Sequence, residues 1–194
     1  MTVNISTSLR RLATLAILVL TMNTHAAEKT LFDFTTATNS PAWQIVNDDV
    51  MGGVSTSRFQ VLTNGAVFSG MVSLENNGGF ASVRSSPIRQ ALAGCDSFVV
   101  RLRGDGSRYQ FTVRTETGFD TPVYQLAFTT KRGEWEEPRL PFKDFVPTFR
   151  GRVLTDMTAL NPVKVSSIGF LIADKQEGAF RLEMGWVKAG GSKK

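Results

Sequence analysis

The sequence predicts an all-β fold, an antiparallel β-sandwich or jelly roll, and three observations carry that reading. Apolar and polar residues alternate at period two along most of the chain. Glycine-containing turn pairs fall between the alternating runs. No stretch sustains the 3.6-residue repeat of an amphipathic helix.

Taken in order, the expected strands are Thr30 to Phe34, Phe59 to Leu62, Ala66 to Leu74, Phe80 to Arg84, Ser97 to Arg103, Tyr109 to Arg114, Val123 to Phe128, Ile168 to Ile172 and Phe180 to Val187. Asn64-Gly65, Asp105-Gly106, Thr117-Gly118, Arg132-Gly133 and Glu177-Gly178 mark the turns. Helix is confined to two short pieces, Ser86 to Ala93, with Pro87 at the first helical position, and Asp156 to Leu160. Leu140 to Arg152, with three Phe and two Pro, reads as an irregular loop packed on the sandwich.

The ends bound the compartment. Arg10 and Arg11 precede an apolar run from Leu12 to Leu20, and small residues follow at Ala26 and Ala27. Residues 1–27 therefore read as a secretory signal peptide, with a mitochondrial transit peptide as the alternative, since the segment lacks acidic residues. Residues 28–189 form the domain, and 190–194 a flexible tail. Removing residues 1–27 leaves 167 of 194 residues and lowers the net charge from +5 to +3, so the scattered basic residues give no nucleic-acid footprint. The apolar run is too short to span a bilayer, so no membrane span is expected in the mature chain.

Cleavage also restricts chemistry. The only histidine, His25, leaves with the leader, and the only cysteine is Cys95. A mature chain without histidine cannot run a Ser-His-Asp or Cys-His mechanism, nor build a His/Cys zinc site. An intrachain disulfide is likewise excluded, and Cys95 reads as a small buried residue before an apolar strand.

Two segments interrupt the strand pattern with carboxylates or amides beside paired glycines: Asn47-Asp48-Asp49-Val50-Met51-Gly52-Gly53-Val54-Ser55 and Glu75-Asn76-Asn77-Gly78-Gly79-Phe80. Such segments build either demanding corners or binding sites. Together with Trp43, Phe68-Ser69-Gly70, Pro141 to Arg152 and Ile168 to Glu183, they resemble the complex I intermediate-associated protein 30 family from about Leu31 to Val187. The resemblance implies a galactose-binding-domain-like β-sandwich, related in shape to carbohydrate-binding modules. It also implies a role like that of mitochondrial members, which act as assembly factors or chaperones for respiratory complex I (NADH:ubiquinone oxidoreductase). It implies no catalytic residues, metal or cofactor.

The residues with binding potential are Asp48, Asp49, Met51, Gly52, Gly53, Ser55, Asn76, Asn77, Trp135, Arg150 and Arg152. Asp48 and Asp49 act together as acid and base only if the chain bends between them; otherwise their carboxylates tie down a corner. Asn76 and Asn77 suit either a left-handed turn or a sugar hydroxyl. Trp135, flanked by Glu134 and Glu136, is the exposed aromatic that could serve as a sugar platform. Arg150 and Arg152 could clamp an oxyanion or pair with Asp144 or Asp156. The leading reading is a non-enzymatic, exported domain with a protein partner. The alternative is a carbohydrate-binding module of the cell envelope, and a carboxylate-based hydrolase comes third.

Overall fold

The computed structural model describes residues 28–36, 42–118 and 120–191. Residues 1–27 and 192–194 lie outside them, and so do the readings of a leader and of the last residues of a tail. Among the described residues fourteen strands form two seven-stranded sheets, and the named strands pair antiparallel throughout. The first sheet runs β10 (Arg139–Pro141), β6 (Ser97–Arg103), β14 (Gly178–Gly190), β4 (Gly65–Val72), β3 (Thr56–Leu62), with β1 (Lys29–Asp33) beside β14 and β9 (Trp135–Glu136) beside β6. The second runs β12 (Arg152–Val153), β11 (Val146–Phe149), β8 (Val123–Thr129), β7 (Arg108–Arg114), β13 (Ser167–Ile172), β5 (Ala81–Ser85), β2 (Trp43–Ile45).

Period-two alternation sends one face of each strand inward. Phe98, Leu102, Phe68 and Leu182 of the first sheet meet Phe111, Val113, Ile168 and Phe170 of the second, all essentially without solvent contact. Phe98 and Phe111 touch across the gap at a ring separation of 5.0 Å, and Phe111 meets Phe170 edge to face at 5.3 Å. A second aromatic group closes one side, where Trp43 stacks on Phe59 at 4.9 Å and receives the edge of Phe32 at 5.0 Å. Cys95 is buried in the same core, and burial pushes its thiol pKa up.

Two expectations are corrected. Ser86 to Ala93 and Asp156 to Leu160 form no helix; short 3-10 turns and bends connect the strands instead. Leu140 to Arg152 is not an irregular loop but contributes β10, a 3-10 turn at Phe142–Asp144, β11 and the start of β12. Phe142 and Phe145 enter the core from the turn, and β11 adds to the sheet with Val146 opposite Gln125 and Thr148 opposite Val123. β14 continues through Gly190, whose carbonyl accepts from the Asp96 N–H at 3.0 Å. The long β14 also carries a bulge at Gly185, where its register against β6 shifts between Met184 and Trp186.

Consecutive strands repeatedly change sheets. β2 belongs to the second sheet and β3 to the first; β4 belongs to the first and β5 to the second. The two glycine-paired segments are these two crossings. Phe111 sits where the sheets press together, so Phe111→Ala is expected to lower unfolding free energy by about 3–5 kcal/mol in urea denaturation without changing the far-ultraviolet β signature.

Candidate functional site

The corner between β2 and β3 opens with a 3-10 turn at Asp48–Met51, closed by Gly52 in the left-handed region at φ 90°. That bend turns the Asp48 side chain into the protein, where it is 0 % exposed, and leaves Asp49 at the surface. The Asp48 carboxylate gathers donors from both crossings. Its Oδ1 accepts from the Ser55 N–H at 2.9 Å, while its Oδ2 accepts from the Ser55 hydroxyl, the Gly79 N–H at 2.7 Å and the Phe80 N–H at 3.1 Å. Ser55 Oγ in turn accepts from the Ser73 N–H at 3.0 Å, and the Asp48 N–H donates to the Phe80 carbonyl at 3.3 Å. Burial alone raises the Asp48 pKa, but donation by Ser55, Gly79 and Phe80 outweighs it and holds the carboxyl below its ordinary value.

The glycines follow from this enclosure. A Cβ on Gly53 would stand 2.5 Å from Asp48 Cγ, and one on Gly78 2.6 Å from Asp48 Oδ2. Gly79, at φ 128°, needs the backbone freedom that glycine alone has there. Asn76 and Asn77 occupy the left-handed region at φ 53° and 59° and are exposed, which makes them the turn of the second crossing.

Outside this carboxylate shell the corner is apolar. Val50 is 67 % exposed, Met51 64 % and Val54 46 %. Val54 lies two residues before Thr56, which pairs with the exposed Met71, so both residues belong to one sheet face. Leu74, exposed as well, approaches Gly79 on the adjoining crossing. Sequence reasoning marked Met51 but missed Val50, Val54, Met71 and Leu74, because strand alternation does not tell which face a crossing presents.

The remaining sequence-marked residues do not join this corner. The Trp135 ring carries the guanidiniums of Arg101 and Arg103 at 5.1 and 5.2 Å from its centroid, and these arginines pair with Glu137 and Glu183. Trp135 stays 39 % exposed, as expected from the sequence, with two guanidiniums stacked against its ring. Arg150 pairs with Asp120 at 2.9 Å, not with Asp144 or Asp156, and Arg152 is exposed in β12. The register places Asp120 in the β7–β8 connection, at the end of the sheet opposite the Asp48 corner. Asp48, Asn76, Asn77 and Arg150 therefore share no concavity.

A groove of about 360 Å³ opens at that opposite end, on the outer side of the second sheet. Arg84 and Arg114 line it, with Gln44, Ser86, Thr117 and Ser167. Among the described residues no group of three or more His, Cys, Asp or Glu is placed to hold a metal, and no helix is long and apolar enough to cross a membrane.

The Asp48 shell yields two expectations. Asp48→Ala strands buried N–H groups of Ser55, Gly79 and Phe80 and is expected to cost about 3 kcal/mol or more. Because the folded pKa lies below the unfolded value near ~3.9, the folded state binds fewer protons between the two. The Asp48 contribution is therefore intact above about pH 5 and fades as pH falls through the folded pKa, so the stability gap between the native chain and Asp48→Asn should narrow in acid unfolding curves. Gly53→Ala, which drives a methyl into the carboxylate, should destabilise by about 2–3 kcal/mol and exceed Gly52→Ala, where the space is open and only backbone strain of about 1 kcal/mol arises; thermal unfolding of the pair reads the order.

Comparison with known proteins adds the ancestry. The sequence profile of the family described as complex I intermediate-associated protein 30 matches residues 32–184. A Drosophila melanogaster protein named complex I intermediate-associated protein 30, mitochondrial, is 27 % identical over 180 residues, covering 81 % of this chain and 61 % of its own length. The Mus musculus protein of the same name is 33 % identical over 96 residues, covering 47 % of this chain and 29 % of its own. The chain thus spans less than two thirds of the length of these relatives. Among solved structures, the family 11 carbohydrate-binding module of Clostridium thermocellum, in complex with a β-1,3-1,4-mixed-linked tetrasaccharide, superposes with a TM-score of 0.63 at 16 % identity, covering 85 % of this chain and 96 % of that one. An agarase follows at a TM-score of 0.59 and 12 % identity, covering 86 % of this chain and 25 % of that one. The likeness to these structures is one of fold, a galactose-binding-domain-like jelly-roll sandwich. With the profile spanning both glycine-paired crossings and most of the two sheets, the chain belongs to the complex I intermediate-associated protein 30 family.

Proposed function

We propose that this chain is a non-enzymatic protein-binding domain that acts as an assembly factor, holding a partner through the apolar rim of the Asp48 corner. The observation that carries this reading is the exposure of Val50, Met51 and Val54 on a turn whose carboxylate is fully committed inward. A rigid apolar rim can dock a partner at low ordering cost. Asp48 is unsuited to general-base work, since all its donors come from the fold itself and its pKa is held down. The relatives' names point to intermediates of respiratory complex I as the class of partner.

The compartment is a separate proposal. Residues 1–27 are read as a signal peptide that exports the chain to the periplasm or beyond, whereas the relatives' names favour a mitochondrial address. Sequencing the mature N-terminus from fractionated native cells decides between the two. Export would replace complex I intermediates with an envelope protein as partner while leaving the same docking rim.

A second reading, carbohydrate binding, draws support from the sandwich modules that share the fold. Trp135 is 39 % exposed, but the guanidiniums of Arg101 and Arg103 against its ring compete with a sugar for that surface. Titration with neutral β-glucan oligosaccharides tests this reading, and saturable binding by the native chain would favour it.

For the leading reading, Met51→Asp and Val54→Asp place charges on the exposed rim and should leave unfolding free energy within about 0.5 kcal/mol of the native value. Co-migration of the tagged chain with complex I assembly intermediates on native gels should fall at least about tenfold in both variants. Unchanged co-migration would remove the rim from the interface.

A further inference from the structure

The outer-face groove of the second sheet is built differently from the apolar corner and lies at the other end of the sandwich. Pairing explains its shape. On β13, Ser167 and Gly169 face outward between β5 and β7; Arg84 of β5 stands opposite Gly169, and Arg114 of β7 opposite Ser167. A side chain on Gly169 would strike the Val83 carbonyl at 2.4 Å and Thr112 Oγ1 at 2.7 Å, so the strand between the two arginines stays low. The lining between them is of small residues and carries more apolar than polar surface, and the flanks are cationic.

The donors are partly fixed in advance. Arg114 Nη1 donates to the Thr121 carbonyl at 3.0 Å and to Thr121 Oγ1 at 3.1 Å, which holds the guanidinium in place while leaving Nε and Nη2. Among the described residues no carboxylate forms an ion pair with Arg114. Trp43, which lines the groove, carries a buried indole N–H without a hydrogen-bond partner among them. Glu116, exposed at the rim, is the single carboxylate of the lining, so the charge inside is net positive. Burial pushes the Arg114 pKa down to about 10, and the like charge of Arg84 pushes in the same direction. Burial lowers the Arg84 pKa as well. Two half-buried cations held close to one another are relieved most by an anion bridging them.

We propose that this groove is an oxyanion site, taking the carboxylate or phosphate group of a small polar molecule between Arg84 and Arg114. Ser86, Thr117 and Ser167 supply hydroxyls for the rest of such a ligand. The groove and the rim of the Asp48 corner share no residue, so each reading stands or falls alone.

The test is an NMR titration of the full chain with inorganic phosphate, D-glucuronate and, as the neutral control, D-glucose. Saturable amide shifts confined to the groove, from Ser86, Thr117, Ser166 and Ser167, are expected with an anion and absent with glucose. Tighter binding of glucuronate than of phosphate identifies an acidic sugar as the source of the oxyanion, and the reverse order identifies a phosphorylated ligand. Arg84→Gln and Arg114→Gln should each weaken binding at least about tenfold, whereas Arg114→Lys, which keeps charge but loses the fork, should fall between. Should a variant fail to fold, the native chain still reports: phosphate should raise its melting temperature more than chloride at matched ionic strength. Shifts scattered over exposed basic residues such as Lys143 and Arg152, binding indifferent to both glutamine variants, or no phosphate-specific stabilisation would overturn the proposal.

Discussion

The Asp48 carboxylate is the constraint on which this sandwich turns. Two sheets built from a chain that keeps changing sheets need their crossings held in place, because a crossing has no ladder of its own to satisfy its backbone. β2 to β3 and β4 to β5 cross side by side, and one buried carboxylate accepts from both. An ionised acceptor suits such a junction, because its two oxygens can collect the four donors that converge there and each bond is stronger than a neutral one. The cost is desolvation of the charge, which the donors offset, as the lowered pKa records. The glycines on either side exist to let backbone reach that carboxylate.

A similar arrangement recurs where β6 crosses to β7. Asp105 accepts from the Ser107 N–H at 2.9 Å, the Arg181 N–H at 2.7 Å and the buried Tyr109 hydroxyl at 3.1 Å. Burial, then the Asp105 charge and hydrogen bond, drive the Tyr109 pKa up, so the phenol stays a donor. Between these fixed crossings the aromatic core from Trp43 to Phe145 fills the gap between sheets. The fold thus divides labour: carboxylates fix where the chain crosses, and phenylalanines fix how the layers pack.

Period two was the legible part of the fold. β7 follows directly from alternation, since it buries one face, whereas β4, β6 and β13, buried along most of their length, were legible as apolar runs between turn signals. β2, β9 and β12 were not legible, because two or three residues carry no period. β11 was hidden for another reason: Pro147 and its crowd of Phe read as loop, yet the two-residue β12 pairs only with Thr148 and Phe149, and the proline lies outside those pairs. At the corner, the residue types disclosed that backbone would be held, and the choice between Asp48 and Asp49 waited on the 3-10 turn. The groove was invisible in sequence, because Arg84 and Arg114 are thirty residues apart and meet only through the register of a third strand.

That division between legible and hidden residues bears on what family membership carries with it. The glycine-paired crossings inside the family match are spent on the fold: Asp48, Gly53, Ser55, Gly78 and Gly79 hold one another and leave no group free for a ligand. Sharing such a segment transmits the corner and its rigidity. It does not transmit the identity of a partner, since the exposed Val50, Met51 and Val54 lie outside the carboxylate shell, at positions where a change of side chain leaves that shell intact. A domain of this construction can keep its fold while its rim is rewritten for a new partner or compartment. The relation between this chain and its mitochondrial relatives is therefore to be sought in the rim and the groove, and the Asp48 shell tells only that the scaffold is the same.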